Sequence, residues 1–398
     1  MRSKALRITI AASAFSLLAA ACGSDDDTNA EGDGGSEVTE PVQTEIGEGE
    51  GALSVLAWPY YAEDGTFTDG LDWVTAFEED TGCDTTVKYF GTSDEAFTLF
   101  GTGDYDVVSA SGDSSLRSVA AGDADPINTD LVDTYDDLAP FLKGQAWNTV
   151  DDVVYGVPHG WGANVLQYNA DVVDPAPDSW SVVFDEDSPY AGKIAAYDSP
   201  IYIADAAVYL MATQPDLGIE NPYALDEDQF QAAIDLLKAQ KPLLAEYWSD
   251  YVAYEDNFTA GSTVLGTSWQ IITDTLAGAN VPAESVLPKE GSTAWSDNWM
   301  IASDAEHPNC AYEWINYITS PSVQATVAAT FGEAPANLLA CEEADMAGHC
   351  EAYHADDTAY YDQLYYWTTP TKACLDGRED VECKDYAEWA TAWAEVKG

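Results

Sequence analysis

The first third of the chain alternates between strand and helix patterns, and this alternation restricts the folds that the chain can adopt. Apolar and β-branched runs at residues 53–58, 85–90 and 106–109 are typical of strands. Helix patterns separate them at residues 71–78 and 94–100. Strands separated by helices pair in parallel through right-handed crossovers. We therefore predict an α/β fold whose ligands bind at the carboxyl ends of the strands.

A second alternating set lies further along the chain. A strand pattern at residues 193–198 leads into a helix, and Asp226 with Gln229 has the pattern of a capping box at the start of another helix. Two more strand patterns follow at residues 243–248 and 264–269. Two α/β units in one chain predict two lobes with a cleft between them.

The balance of charge excludes one class of ligand and disfavours another. The 398 residues include 71 Asp and Glu against 14 Lys and Arg, which gives a net charge of −57. Nucleic-acid binders need clustered basic residues to contact phosphates, so we expect no nucleic-acid partner. Phosphate, sulfate and carboxylate ligands are disfavoured because few cations are available to hold them.

The beginning of the chain has the pattern of a bacterial export signal. Three basic residues precede an uncharged run at residues 8–21, which is shorter than the roughly 20 residues of a membrane span. Small residues before Cys22 resemble the lipobox of bacterial lipoproteins, a resemblance that implies lipidation of Cys22. We expect residues 1–21 to be a signal peptide and a lipid to anchor the exported protein at the outer face of the cytoplasmic membrane.

The segment after Cys22 has a composition that cannot form a core. Residues 23–51 contain ten acidic residues and no Lys or Arg. Such a segment is solvated and self-repelling. We therefore expect residues 22–51 to be a lipidated Cys followed by a disordered acidic tether.

The remaining cysteines indicate disulfides, because an even number in an exported chain is typical of paired cysteines. The preferred pairs are Cys83–Cys310, Cys341–Cys350 and Cys374–Cys383. Six cysteines allow 15 pairings, so other pairings remain open.

A metal site is the alternative use of two of these cysteines. His349, Cys350 and His354 lie close together in the sequence, with Cys341 just before them, and four such ligands can hold zinc. Their spacing matches no standard zinc finger, so we expect neither a metal nor a cofactor.

Four segments resemble, in order and spacing, the extracellular solute-binding proteins of ABC importers, and the spermidine/putrescine-binding branch most closely. Residues 56–61 resemble the family's first strand and its aromatic loop, and residues 156–163, closed by Tyr168 and Asn169, resemble its first crossover. Residues 288–291 with 295–297 resemble the second crossover, and residues 332–337 resemble the turn before the last helices.

The resemblance implies a two-lobe type II periplasmic-binding-protein fold, in which each lobe is a mainly parallel sheet flanked by helices. Hinge strands join the lobes, which close over one solute. We expect lobe 1 at residues 53–157 and about 286–338, and lobe 2 at about 160–285 and 339–398. The resemblance also implies a monomer that docks on ABC permease subunits in the membrane and is not an enzyme.

A polyamine is a flexible aliphatic rod with ammonium groups, so aromatic faces and carboxylates complement it. The candidate ligand-binding residues at predicted strand ends and crossovers are Trp58, Tyr60, Tyr61, Asp113, Trp161, Asp198, Trp248, Asp250, Trp269, Trp295 and Asp297. The resemblance favours Asp297, because the family places a ligand carboxylate near this Trp-x-Asp. It also aligns Asp198 with the start of the family's acidic segment. Tyr202, which follows where polyamine binders have another carboxylate, is a further candidate ligand-binding residue, because a phenol can stack on a ligand or accept from a hydroxyl.

The leading hypothesis is therefore a lipid-anchored substrate-binding component of an ABC importer that captures an organic cation such as putrescine or spermidine. One alternative is the same kind of receptor for a sugar or another neutral polar solute, because indole and phenol rings also stack on sugars. The other alternative is an exported hydrolase that uses two carboxylates.

Overall fold

The computed structural model describes residues 43–66, 68 and 70–398. The predicted signal peptide, Cys22 and residues 23–42 of the predicted tether lie outside these residues. Within the described part of the chain, no helix has the length and apolar character needed to cross a membrane.

The last residues of the expected tether are part of the folded protein. The carboxylate of Glu50 accepts hydrogen bonds from the backbone N–H groups of Asn309 (3.1 Å) and Cys310 (3.0 Å) at the beginning of a helix. Ile46 packs against the nearby core. The expectation of disorder is therefore wrong for residues 43–51, because an acidic side chain is well placed at a helix N-terminus.

The secondary-structure elements alternate as the sequence predicted. The strands are β1 (Ala52–Ala57), β2 (Asp84–Tyr89), β3 (Val107–Ser111), β4 (Thr149–Val150), β5 (Val153–Val154), β6 (Val157–Asn169), β7 (Ile194–Tyr197), β8 (Leu244–Trp248), β9 (Leu265–Trp269), β10 (Ala283–Val286), β11 (Ser292–Ile301), β12 (Ala334–Pro335) and β13 (Leu364–Tyr366). The α-helices are α1 (Val74–Thr81), α2 (Ser93–Phe100), α3 (Gly112–Ala121), α4 (Ser181–Phe184), α5 (Ile203–Thr213), α6 (Glu227–Gln240), α7 (Tyr251–Thr259), α8 (Gln270–Gly278), α9 (Pro308–Ile318), α10 (Pro321–Phe331), α11 (Ala347–Ala352), α12 (Thr358–Tyr361) and α13 (Tyr386–Lys397). The predicted capping box of Asp226 and Gln229 begins α6.

One mixed sheet extends through both halves of the fold, with the main strand order β2-β1-β3-β11-β6-β9-β7-β8. On one side β1 pairs in parallel with β2 and β3, and on the other side β7 pairs in parallel with β8 and β9. The long central strands β6 and β11 pair antiparallel with each other. In addition, β6 pairs antiparallel with β9, and β11 pairs antiparallel with β3. The sheet is therefore parallel within each half and antiparallel where the halves join.

The central strands connect two hydrophobic cores, and we call the parts built around them lobe 1 and lobe 2. Along β6, Trp161 and Val165 are buried in the core of lobe 1, and Leu166 is buried in that of lobe 2. The chain returns along β11 and crosses again after β13, where Tyr366 lies in the first core and Trp367 in the second. The predicted two-lobe α/β fold is confirmed.

One stretch of chain packs in a different lobe from the one expected. Cys350, Ala355 and Leu364 are buried in the core of lobe 1, because β13 pairs with β11 in that half of the sheet. From Trp367 onward the chain packs on lobe 2, where Trp389 of α13 is fully buried. The tail therefore contributes to both lobes.

The structure contains the three preferred disulfides, Cys83–Cys310, Cys341–Cys350 and Cys374–Cys383. The first joins α9 to the chain just before β2, across a sequence separation of 227 residues within lobe 1. The cysteines of the alternative zinc site are thus paired with each other, and among the described residues no group of three or more His, Cys, Asp and Glu is arranged to hold a metal ion.

Candidate functional site

The topology brings strand ends from both lobes together beside the crossovers. In lobe 1, β3 ends at Ser111, and Trp58 directly follows β1. In lobe 2, β7 ends at Tyr197 and β9 ends at Trp269. Parallel strands present their carboxyl ends at one edge, so side chains from separate parts of the sequence meet between the lobes.

On the lobe 1 side, Ser111 connects an aromatic ring to a carboxylate. The indole Nε1 of Trp58 donates to Ser111 Oγ at 3.1 Å. Ser111 is the partner of Asp297 in the β3–β11 pairing, and its side chain lowers the pKa of that carboxylate. Trp58 is half-buried and Asp297 is buried, so a predicted ring and a predicted carboxylate lie side by side.

Asp297 belongs to a buried polar cluster with Tyr61, Glu333 and His159. The Tyr61 hydroxyl lies 2.7 Å from Asp297 Oδ2 and 2.7 Å from Glu333 Oε2. His159 Nε2 lies 3.5 Å from Glu333 Oε1. Burial raises the pKa of Asp297 to about 6 and that of Glu333 well above its usual range, and it lowers the pKa of His159 to about 3. His159 is therefore neutral at pH 7.

Asp113, the second residue of α3, is the other buried carboxylate on this side, with 1% of its surface exposed. Burial raises its pKa to about 7, although Ser93 and the charge of Arg117 act in the opposite direction. The Trp367 carbonyl occupies the position that a Cβ would take at Gly112, so only glycine fits before Asp113. Among the described residues, Asp113 Oδ1 and Asp297 Oδ1 have no hydrogen-bond partner.

On the lobe 2 side, three tryptophan rings surround Tyr197. The ring centre of Tyr197 lies 5.0 Å from Trp248, 5.6 Å from Trp269 and 5.8 Å from Trp367. The Trp367 ring is stacked on that of Tyr197, with an angle of 16° between the planes. The side chain of Asn164 on β6 accepts a hydrogen bond of 3.1 Å from Trp269 Nε1 and so orients that indole.

The hydroxyl of Tyr197 is also affected by the charges of the carboxylates. Burial raises the pKa of its hydroxyl, and the charges of Asp113, Asp198 and Asp297 raise it further. Asp113 and Asp297 belong to lobe 1, whereas Asp198 belongs to lobe 2. The charges of carboxylates from both lobes therefore act on one hydroxyl, and aromatic rings surround its ring.

Two contacts join the lobes beside this site. The hydroxyl of Tyr60, after β1, lies 3.3 Å from the hydroxyl of Tyr251, the first residue of α7. The guanidinium of Arg117 on α3 lies over the ring of Tyr386 on α13, 4.2 Å from its centre. Each contact pairs one residue of lobe 1 with one of lobe 2.

Two of the predicted site residues are core residues. Trp161 is fully buried in lobe 1, where the ring of Phe141 packs edge-on against it. Tyr202 is 1% exposed in lobe 2, and its hydroxyl accepts a hydrogen bond of 2.9 Å from Gln240 Nε2. Both side chains pack against residues of their own lobe, so we do not include them in the candidate site.

Three other predicted residues have partners within the protein. Asp198 Oδ1 accepts hydrogen bonds from Lys397 and Trp393 of α13. Asp250 caps α7, where its side chain accepts from the N–H groups of Val252 and Ala253. Trp295 lies in the hinge against Phe331, and a Cβ at Gly162 would come within 2.5 Å of its ring, so glycine is required opposite it. The structure thus brings Trp58, Asp113, Asp297, Trp248 and Trp269 to the site, and Tyr61 to its buried support.

Tyr197, Trp367 and Glu333 are not predicted from the sequence. Tyr197 directly precedes Asp198 at a predicted strand end, but the carboxylate rather than the ring was selected there. Glu333 lies in a segment that was singled out only as a turn. Trp367 lies beyond the last segment that resembles a known family, and no sequence signal marks it.

Comparison with known proteins places the chain in a family. The model of the family described as bacterial extracellular solute-binding protein matches residues 72–352. The chain is similar to the spermidine/putrescine-binding periplasmic protein of Escherichia coli K12, with 25% identity over 302 residues that cover 73% of this chain and 83% of that protein. It is 29% identical to the protein of the same name from Salmonella typhimurium over 217 residues, which are 54% of this chain and only 58% of that protein.

Two solved structures share the fold. A putative spermidine/putrescine ABC transporter protein from Listeria monocytogenes has a TM-score of 0.70 and 19% identity, covering 87% of this chain and 99% of that chain. The binding protein MotA of A. tumefaciens B6, solved with glucopine, has a TM-score of 0.65 and 18% identity, covering 87% and 100%. At these identities the likeness shows the fold alone.

Proposed function

Because the chain belongs to the family of bacterial extracellular solute-binding proteins, we propose that it is the substrate-binding component of an ABC importer. We propose further that it captures an organic cation of the polyamine type between its lobes. The binding set is Trp58, Asp113, Tyr197, Trp248, Trp269, Asp297 and Trp367.

The observation on which this proposal rests is the pair of unpartnered, buried carboxylate oxygens, Asp113 Oδ1 and Asp297 Oδ1. A buried, ionised carboxylate is destabilised when one of its oxygens has neither a cation nor a hydrogen-bond donor, so such oxygens are normally paired. The charge of Arg117 lowers the pKa of Asp113, but the ion pair of Arg117, at 2.6 Å, is with Asp94 and not with Asp113. An ammonium group of a solute would supply the missing partner through charge-assisted hydrogen bonds.

The aromatic residues support the same class of ligand. Indole and phenol rings attract cations through their faces and cover the methylene groups between them. Tyr197 and the three tryptophans near it come from lobe 2, whereas the unpartnered carboxylates and Trp58 come from lobe 1. A solute that contacts both sets would favour closure of the lobes.

The test is the thermal unfolding of the purified protein with putrescine, spermidine, glucose and trehalose. A ligand that binds the folded state raises the melting temperature, and we expect this with the two polyamines and not with the sugars. A matched series at high salt removes nonspecific attraction to the acidic surface, because salt screens exposed charges more than buried ones. Asp297→Asn should abolish most of the shift, and Asp171→Asn, at an exposed position, should leave it unchanged.

The outcomes separate the two parts of the proposal. A shift with a sugar alone would reject the organic cation and leave the solute receptor in place. A polyamine shift that disappears at high salt, or that persists in the Asp297→Asn variant, would show that the cation binds elsewhere on the surface.

We also propose that the protein is exported, attached by lipid through Cys22 and docked as a monomer on ABC permease subunits. The supporting pattern is the basic, apolar and small-residue sequence that precedes Cys22. Palmitate labelling in cells should mark the protein and should be lost in the Cys22→Ser variant. Labelling that is absent from the unaltered protein would reject the lipid anchor without affecting the binding proposal.

A further inference from the structure

Lobe 2 pairs a lysine of its own with the carboxylate that directly follows β7. Lys397 Nζ donates to Asp198 Oδ1 at 2.6 Å, and Trp393 Nε1 donates to the same oxygen at 3.1 Å. Asp198 directly follows β7 and is next to Tyr197, around which the aromatic residues of the site are grouped. Asp198 thus lies at the carboxyl end of β7, the edge of the parallel strands at which the proposed binding site is built.

The position of Lys397 is fixed by helix packing. On α13, the ring of Trp393 is buried between Tyr202 and Tyr247 of lobe 2. The carbonyl of Lys397 accepts a hydrogen bond of 2.8 Å from Lys241 Nζ. The side chains of Lys397 and Asp198 are 38% and 24% exposed, so the pair is partly shielded from water.

The two ends of the site therefore differ in their capacity for a cation. At the lobe 1 end, Asp113 and Asp297 each have an oxygen without a partner among the described residues. At the lobe 2 end, Asp198 already has an ammonium group and an indole N–H. An ammonium group of a ligand would have to displace Lys397 to reach it.

We propose that Lys397 occupies Asp198 in place of a ligand cation, so that the protein selects a solute with a cationic group at one end only. The class is an aliphatic amine whose other end is uncharged, such as an amino alcohol. This inference rests on the proposed organic-cation receptor and changes its expected ligand from a polyamine to an amine with one cationic end. Lys397 acts through Asp198 and is a specificity-determining residue.

The test compares two ligands of equal length, putrescine and 4-aminobutan-1-ol, by calorimetric titration. We expect the unaltered protein to bind the amino alcohol at least as tightly as the diamine. Lys397→Gln should free Asp198 and raise the preference for putrescine over the amino alcohol by roughly tenfold, which corresponds to one charge-assisted hydrogen bond.

Lys384→Gln is the matched control, because it removes the same charge from the chain just before α13. Lys384 pairs with Glu227 and Glu388 rather than with Asp198, so its loss should leave the ligand ratio unchanged. The double variant Lys397→Gln, Asp198→Asn should return the ratio to that of the unaltered protein. An unchanged ratio in Lys397→Gln, or an equal gain in Lys384→Gln, overturns the proposal.

Asp198→Asn alone provides a second test that leaves Lys397 in place. If Lys397 already satisfies Asp198, the affinities for both ligands should stay within about threefold, since no ligand contact is lost. A loss of tenfold or more for putrescine alone would identify Asp198 as a ligand carboxylate and reject the inference. Binding of neither amine to the unaltered protein would instead reject the organic-cation proposal itself.

Discussion

The hydroxyl oxygen of Tyr61 lies 2.7 Å from Asp297 Oδ2. The same oxygen lies 2.7 Å from Glu333 Oε2, but a hydroxyl has only one proton to donate. Burial raises the pKa of Glu333 well above its usual range, so Glu333 is protonated and supplies the second hydrogen bond. Tyr61 then donates to Asp297, which stabilises its ionised form within a protein interior that disfavours charge.

The first prediction concerns this hydrogen bond. Tyr61→Phe should weaken putrescine binding about tenfold at pH 7, because a hydrogen bond to a charged group contributes about 1.5–3 kcal/mol. The loss should be larger at pH 6 than at pH 8, since the Tyr61 hydrogen bond lowers the pKa of Asp297 and its removal raises that pKa further. Titration calorimetry at the three pH values measures this.

Tyr202→Phe, which removes a hydroxyl in the core of lobe 2, is the control and should leave the pH dependence of binding unchanged. A pH-independent loss in Tyr61→Phe would contradict the prediction.

The second prediction concerns the stability of the unliganded protein. Burial raises the pKa of Asp113 from 3.8 to about 7, so between these values the folded state binds more protons than the unfolded state. Stability from this group therefore decreases as the pH rises from about 4 to about 7 and stays low above that range. Asp113→Asn should raise the melting temperature at pH 8 but not at pH 4, with an upper bound of about 4 kcal/mol. Asp171→Asn is the exposed control, and a variant that is less stable at pH 8 would contradict this reasoning.

The third prediction is that cation binding releases protons near pH 6.5. The pKa of Asp297 is about 6 and that of Asp113 is about 7, so both are partly protonated at this pH. A bound ammonium favours the ionised carboxylates and lowers both values. The binding enthalpy should therefore differ between buffers with different ionisation enthalpies at pH 6.5. The difference should be much smaller at pH 8, where both carboxylates are almost fully ionised and the amines of the ligand remain protonated. Identical enthalpies in all buffers at pH 6.5 would exclude these carboxylates as the ligand contacts.

The sequence predicted the two lobes and five of the seven residues in the proposed binding set, for identifiable reasons. Strand and helix periodicity depends on local residue patterns, and so the alternation around β1 and β3 was visible. Trp58 was predictable because it lies at a strand end, and Asp297 because it lies in a motif that resembles the family's. The topology of the sheet determines both positions. The pairing of Cys83 with Cys310 followed once the two local pairs were preferred.

The remaining residues depend on tertiary contacts that have no local signature. Trp367 reaches the site because the chain crosses between the lobes a third time, after β13. Asp198 has the right sequence position for a ligand contact, but Lys397, 199 residues later, pairs with it. Trp161 and Tyr202 have the residue types of a binding site, but the alternation of a buried strand and the packing of α6 enclose them.

The fourth prediction concerns the ring that the sequence did not reveal. Trp367→Ala should reduce putrescine affinity by roughly thirtyfold, because the stacked ring on Tyr197 and its contribution to cation–π attraction are both lost. Trp367→Phe keeps an aromatic face and should stay within a few-fold of the unaltered protein. Unfolding curves without ligand must accompany both, since this side chain is only 3% exposed. Equal losses in the two variants at equal stability would indicate that Trp367 fills space and does not contact the cation.

The fifth prediction concerns the contact between Tyr60 and Tyr251, whose hydroxyls lie 3.3 Å apart and join the two lobes. Tyr251→Phe removes one of these hydroxyls and leaves its ring in place, so the closed form should lose about 0.5–1.5 kcal/mol relative to the open form. Because ligand escapes when the lobes open, the loss should appear as a two- to tenfold faster dissociation rate, with little change in association. Stopped-flow fluorescence measures both rates.

Tyr209→Phe is the control, because its hydroxyl donates a hydrogen bond to Asp185 within lobe 2. Both rates should stay unchanged in this variant. A slower association in Tyr251→Phe, without faster dissociation, would mean that this contact guides ligand entry and does not stabilise closure.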